Sequence, residues 1–176
     1  MSILDPRAFE PSRRHADISR TGRKQQMPVS VFHPAGRLCD DGESSFDIYY
    51  WSAPDNNLDD AWLAQAFPTS EAMQDILATA FEQYCGEDHA GNSMREDVLE
   101  YLRDFKGESA VAAFKGEGYL PFVKICMVYL IRDHDAVVIS AMTDIDYNLD
   151  EHGILILIHG GKITFGYDGD FTEFLE

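Results

Sequence analysis

No stretch of the 176 residues approaches the roughly 18 to 20 consecutive apolar positions of a membrane span, and the opening "MSILDPRAFEPSRRHADISR" lacks the apolar core of a signal peptide. Location in the cytoplasm, away from membrane, is the resulting expectation. Cysteine is scarce: Cys39, Cys85 and Cys126 lie 46 and 41 residues apart, with no metal-knuckle spacing, and their odd count argues against a disulfide framework. Buried thiols are the simplest reading, Cys126 in particular sitting inside the apolar run "VKICMVYL". Basic residues are also few. Fourteen Lys and Arg face 31 Asp and Glu, for a formal net charge of −17. The first 25 residues hold six of those bases against three acids, leaving eight bases against twenty-eight acids in the remainder. Such a body repels nucleic acid and anionic membrane and attracts basic partners, while also serving plain solubility.

Linear catalytic signatures are missing too. "HGGK" has neither phosphate-loop spacing nor a following helix, no serine sits in a nucleophile elbow, and no histidines pair at helical spacing. No glycine-rich dinucleotide fingerprint occurs, and no cofactor or metal is expected. A site dispersed along the chain is not excluded by these absences, because enzymes need no linear motif.

What is present is a chain 45% apolar, enough for one domain with a substantial core. Residues 1–27 mix Arg, Ser, Gln and Pro without periodicity and read as a basic arm; 28–176 read as one domain. Residues 29–33 and 46–51 suggest a hairpin around the turn-forming "CDDGES". Tyr49, Tyr50 and Trp51 alternate faces in such a strand, so part of this cluster belongs to the core rather than to a binding platform.

Three amphipathic helices follow. "NNLDDAWLAQAF" stops at Pro68. "TSEAMQDILATAFEQYCG" places Met73, Ile76, Leu77, Ala80, Phe81 and Tyr84 on one stripe, closed by Gly86 as a left-handed cap. In "SMREDVLEYLRDFKG", Ser93 and Glu96 have capping-box spacing, Met94, Val98, Leu102 and Phe105 share a face, and Gly107 follows the end. Four β-branched runs at 121–132, 135–144, 153–160 and 162–168 are joined by connections too short for parallel returns. Gly160-Gly161 fits a two-residue hairpin turn. The fold class is therefore α+β: a mostly antiparallel sheet with about three helices packed on it, without repeats or a second core.

The candidate chemistry concentrates near the C-terminus. "TDIDYNLDE" alternates Asp144, Asp146, Asn148 and Asp150 like a calcium loop, but Leu149 stands where the sharp turn needs glycine and Leu155 where the bidentate acid belongs. In an extended segment these groups form an acidic ledge. His152 and His159 bracket one strand and should lie about 23 Å apart, too far to share a metal or a proton; His89 and His134 fall in separate turns. For each histidine a structural hydrogen bond is the expectation over catalysis.

The acidic residues, then "DEHG", an apolar strand, "GGK", a second strand and "GYDGD" together resemble the C-terminal hairpin of small bacterial families that accompany polymorphic or contact-dependent toxins, the immunity-protein type. The resemblance covers this hairpin alone; the basic arm and "ILILI" depart from the pattern. It implies tight neutralising binding to a cognate basic toxin, many such toxins being nucleases, with Glu151, His152 and Gly153 as turn residues. Charge complementarity would set encounter and specificity, and buried aromatic anchors most of the affinity. The expected contacts are Asp144, Asp146, Asp150 and Glu151, the C-terminal Asp168 and Asp170, and Asp40, Asp41 and Glu43. The expectation is thus an immunity-like inhibitor that acts by occlusion without catalysis. Two alternatives stand beside it: an enzyme or metal-dependent hydrolase using His152 and nearby carboxylates, and a regulatory protein that mimics nucleic-acid charge.

Overall fold

The computed structural model describes residues 3–12, 22–32, 35–39, 45–53, 55–88, 90–145, 153–167 and 170–175. Seven strands form one sheet whose spatial order is the chain order: β1 (Glu10–Ser12), β2 (Gly22–Pro28), β3 (Ser45–Trp51), β4 (Val123–Ile131), β5 (Ala136–Thr143), β6 (Gly153–His159) and β7 (Lys162–Gly166). The α+β class and the mostly antiparallel sheet are as the sequence indicates. Each neighbouring pair is antiparallel except β3 and β4. That parallel pair needs a long return, and the return is the helical layer.

The C-terminal meander follows from its turns. Between β6 and β7, His159 pairs with Lys162 across Gly160 and Gly161, whose φ values are +56° and +73°. Both central residues thus occupy the left-handed region that this hairpin turn demands. A Cβ at either would meet nothing within 4 Å, so the requirement is conformational rather than steric. Gly161→Ala is expected to destabilise by about 1 kcal/mol, whereas Gly160→Asn should be nearly neutral; urea unfolding of the two variants checks the order.

Five α-helices occur among the described residues: α1 (Asp60–Ala66), α2 (Ser70–Cys85), α3 (Arg95–Phe105), α4 (Glu108–Glu117) and α5 (Thr172–Leu175). Asp59 caps α1 by accepting from the Trp62 N–H at 2.9 Å, and Thr69 caps α2 from Ala72 at 3.2 Å. The α2 stripe is core: Met73, Leu77, Ala80 and Phe81 are buried. Its end differs from expectation. Gly86 lies at φ −76°, not in the left-handed region, and is glycine because a Cβ would come within 2.1 Å of the Glu82 carbonyl. The capping box at α3 is not formed either; Met94 holds the cap position and the Ser93 hydroxyl accepts from Arg95 N at 3.3 Å. Helix α4 was not anticipated. Its buried Ala110, Val111 and Phe114 are bounded by Gly107 and Gly118, both at positive φ, which limit it to ten residues.

The N-terminal region also differs. Residues 29–32 form a 3-10 turn rather than a strand, and the partner of β3 is β2, paired from Arg23↔Tyr50 to Pro28↔Ser45. The expected arm therefore supplies β1 and β2, and its Leu4, Phe9 and Met27 are buried in the main core. Its polar composition reflects a place toward the sheet edge, where Lys24 and Gln26 point to solvent while Gln25 and Met27 point inward.

Two apolar clusters occupy opposite faces of the sheet, where a single core was expected. The larger packs Ile48, Tyr50, Val128, Leu130, Val137, Ile139 and Ile156 under α1 to α4. The smaller joins Tyr49, Trp51, Tyr129, Ile131, Val138, Leu155 and Leu157 with Phe171, Phe174 and Leu175 of the C-terminal segment. Strand alternation splits the aromatic run: Tyr50 enters the main core, while Tyr49 and Trp51 stack on Tyr129 at ring separations of 5.8 and 5.6 Å. Burial pushes the Tyr49 phenol pKa up, and the Asp47 carboxylate adds to this. Gly22 admits the Trp51 indole, since a Cβ there would lie 2.6 Å from its Cδ1.

Candidate binding surface

Of the nine acidic residues singled out from sequence, Asp40, Asp41, Glu43, Asp146, Asp150, Glu151 and Asp168 lie outside the described residues, as do His89 and His152. Asp144 and Asp170 are placed, and both serve the fold. The Asp144 carboxylate accepts from Lys106 Nζ at 2.8 Å, with the lysine side chain only 10% exposed, tying the end of α3 to the end of β5. Asp170 Oδ2 accepts from Tyr167 N at 2.6 Å, and the next residue, Phe171, is buried in the far-face cluster. The Asp170 carboxylate also lies close to Gly166, where a Cβ would meet its Oδ2 at 2.7 Å. Asp144 follows β5 and Asp170 follows β7, and the other members of the expected ledge lie outside the described residues.

Two of the six histidines, His134 and His159, are among the described residues. His134 and His159 are brought together by the β5–β6 register, which pairs Ala136 with His159, and both rings sit edge-on to Phe174 at 5.7 and 5.3 Å. They help to seat α5. Among the described residues no group of three or more His, Cys, Asp and Glu is placed to hold a metal. Cys39 Sγ donates to the Phe122 carbonyl at 3.0 Å, and Cys85 is buried in the main core.

A polar corner closes the carboxyl ends of the parallel strands β3 and β4. Arg132 Nε donates to Asp59 Oδ2 at 2.8 Å and its guanidinium lies 5.6 Å above the Trp62 ring, while Trp62 Nε1 donates to Asp135 Oδ1 at 2.5 Å. Asp133 receives the Ala53 N–H at 2.8 Å, and Arg23 Nε donates to the Asn56 carbonyl at 2.8 Å. These groups are paired with one another and fasten the start of the helical layer to the sheet. The Trp62 backbone N–H, followed by Arg132, lowers the Asp59 pKa below the ordinary carboxylate value. Its contribution to stability is therefore present above the unfolded-state pKa and is lost as pH falls through the lower folded-state value. Asp59→Asn keeps a capping oxygen but not the charge, so its melting temperature should fall less steeply than wild type under acid conditions. Calorimetry from pH 6 downward reads that slope.

Among the described residues, most of the exposed acids lie on the helical layer, which charge by motif does not single out. Residues 55–117 contain 14 acids against 4 bases. Asp55, Asp60, Glu71, Asp75, Glu82 and Glu87 are exposed, and so are Asp88, Glu96, Glu100, Asp104, Glu108 and Glu117. Of the four bases, Lys106 turns inward to Asp144 and Arg103 lies 3.7 Å from Glu108. Outside this layer, Arg37 makes a two-pronged contact with Glu117 at 2.6 and 2.5 Å, holding the segment after β2 to α4. Counting charge by segment instead of by motif would have revealed the layer.

Within it stands one large apolar side chain in solvent. Phe105, expected on the buried face with Val98 and Leu102, is 73% exposed, whereas those two are 1% and 0%. At the last turn of α3, Lys106 takes the inward direction and Phe105 turns out onto Tyr101, one helical turn back, with ring centroids 4.9 Å apart. No family model, curated protein or solved structure matches this chain. No helix of the described residues is long and apolar enough to cross a membrane.

Proposed function

We propose that the protein is an acidic binding protein of the immunity type, which neutralises a basic bacterial toxin in the cytoplasm by covering the toxin's working surface, without catalysis of its own. The observation that carries this reading is the run of exposed carboxylates on α1 to α4, supported by two apolar cores that make the layer beneath them a rigid platform. A rigid charged face accelerates encounter with an oppositely charged partner and disfavours partners of its own sign. A nuclease toxin is a natural counterpart, because its phosphate-binding Lys and Arg are the groups such a face would occupy.

The test is retention and inhibition together. The immobilised protein is exposed to lysate of its source organism, any basic protein retained in stoichiometric amount is purified, and its activity is titrated with this chain. Loss of activity complete at one equivalent supports neutralisation by occlusion; a retained protein that stays fully active in the complex contradicts it. His152→Ala should inhibit as well as wild type, within about twofold, because neutralisation by occlusion uses no chemistry at that imidazole. A lost response on that single change would favour chemistry at His152 instead.

A further inference from the structure

We propose that Phe105 is the anchor of the helical layer's binding surface and that the occupant of this surface is a cationic amphipathic segment of a partner protein, one with apolar side chains flanked by Lys or Arg. The proposal rests on the reading of the protein as a binder of a basic partner and names where, and through what chemistry, that partner is held. Every other apolar residue on the inward side of α3 is buried, Val98, Leu99 and Leu102 at 1, 7 and 0% exposed, so the 73% exposure of Phe105 is specific to that ring. Tyr101 supports it from one side at 4.9 Å with the planes inclined at 35°. A ring held on one face and open on the other is preorganised, which reduces the entropy lost when a partner covers it.

The surrounding charge selects the occupant. Glu100 and Asp104 are exposed within the five residues before the ring on the same helix, Glu108 is exposed but lies 3.7 Å from Arg103, and the adjacent Lys106 is withdrawn into its pair with Asp144. An apolar spot in a negative rim repels nucleic acid and anionic lipid, and a second copy of a chain carrying −17 meets the same repulsion. Apolar side chains with a cationic flank satisfy both halves: the ring supplies contact area and the carboxylates fix orientation. Among the described residues the other exposed large apolar side chains are Ile163, on the edge strand β7 next to Lys162, and Tyr167, just past that strand, whose ring lies against Tyr84 at 5.4 Å.

The full chain, labelled with nitrogen-15, is titrated at low ionic strength with a synthetic leucine-lysine helical peptide and, in parallel, with oligolysine of equal charge. The expected result is amide shifts centred on residues 101–108 with the amphipathic peptide, about tenfold weaker binding for Phe105→Ser, and recovery with Phe105→Trp. Oligolysine should not distinguish wild type from Phe105→Ser, and the exposed position should leave the melting temperature of that variant unchanged. Three results would each overturn the proposal: no binding, shifts spread evenly over carboxylate-bearing segments, or peptide affinity indifferent to residue 105. A concentration-dependent dimer abolished by Phe105→Ser would also overturn it, by assigning the ring to self-association. Because the probe is synthetic, the surface is judged separately from neutralisation: a mapped peptide site with an uninhibited natural partner would refute the inhibitor role alone.

Discussion

Phe114→Ala is expected to lower the free energy of unfolding by about 3 to 5 kcal/mol. The ring is fully buried, meets Tyr119 edge-on at 5.1 Å and Phe122 at 6.4 Å, and carries the Arg95 guanidinium 5.0 Å from its centroid. Three elements converge on it. Helix α4 contributes the ring, α3 contributes Arg95, and the turn before β4 contributes Tyr119 and Phe122, with the Tyr119 hydroxyl donating to the Cys85 carbonyl at 2.9 Å at the end of α2. Truncation leaves a cavity whose walls are fixed by that hydrogen bond and by the start of β4, so collapse cannot recover much of the lost contact. Phe114→Leu, which keeps most of the volume, should cost about 1 kcal/mol. Urea unfolding with an unchanged m-value is the measurement. A loss below about 1 kcal/mol for the alanine variant would mean that α4 is not docked as described.

The second large effect is kinetic. Converting Glu100 and Asp104 together to lysine should slow association with a basic partner by roughly tenfold at low ionic strength, with the difference shrinking as salt is added. These carboxylates are exposed and belong to the segment where 14 acids outnumber 4 bases. Steering depends on the summed local field, and reversal changes that field more than neutralisation does. An equal change in sign at Glu10 on β1 and Glu173 on α5, both exposed but outside the helical layer, should slow association less. Stopped-flow mixing at several salt concentrations separates the two sets. Equal slowing by both would leave net charge alone as the determinant.

The C-terminal meander was readable from sequence because each strand is a short β-branched run ended by a turn of defined chemistry. The strand expected at 153–160 runs from Gly153 to His159, and Gly160 and Gly161 have the positive φ expected of them. Helix α2 was equally plain, its stripe having the helical period over about three turns. Less legible was β2, whose "GRKQQMP" is polar because half of it faces solvent near the sheet edge; Val29 and Phe32 beside it looked more strand-like but form a 3-10 turn. The far-face cluster escaped because its members, Tyr49, Trp51, Tyr129 and Leu157, come from distant strands and meet only through register. Phe105 has the right spacing for burial and is turned out by Lys106, whose partner Asp144 lies 38 residues away. Pairing across such a separation leaves no local trace. The acidic surface itself was legible as charge, but the residues chosen for it followed a local motif, and the two that are placed are engaged in folding.

Hydrogen–deuterium exchange of the chain, alone and saturated with the basic partner proposed for it, tests the central claim most directly. New protection concentrated in α3 and α4, with β7 and α5 unchanged, is the result predicted for a partner seated on the acidic helical layer. Protection confined to the β7 edge or the C-terminal segment, with α3 and α4 exchanging as in the unbound protein, would contradict it.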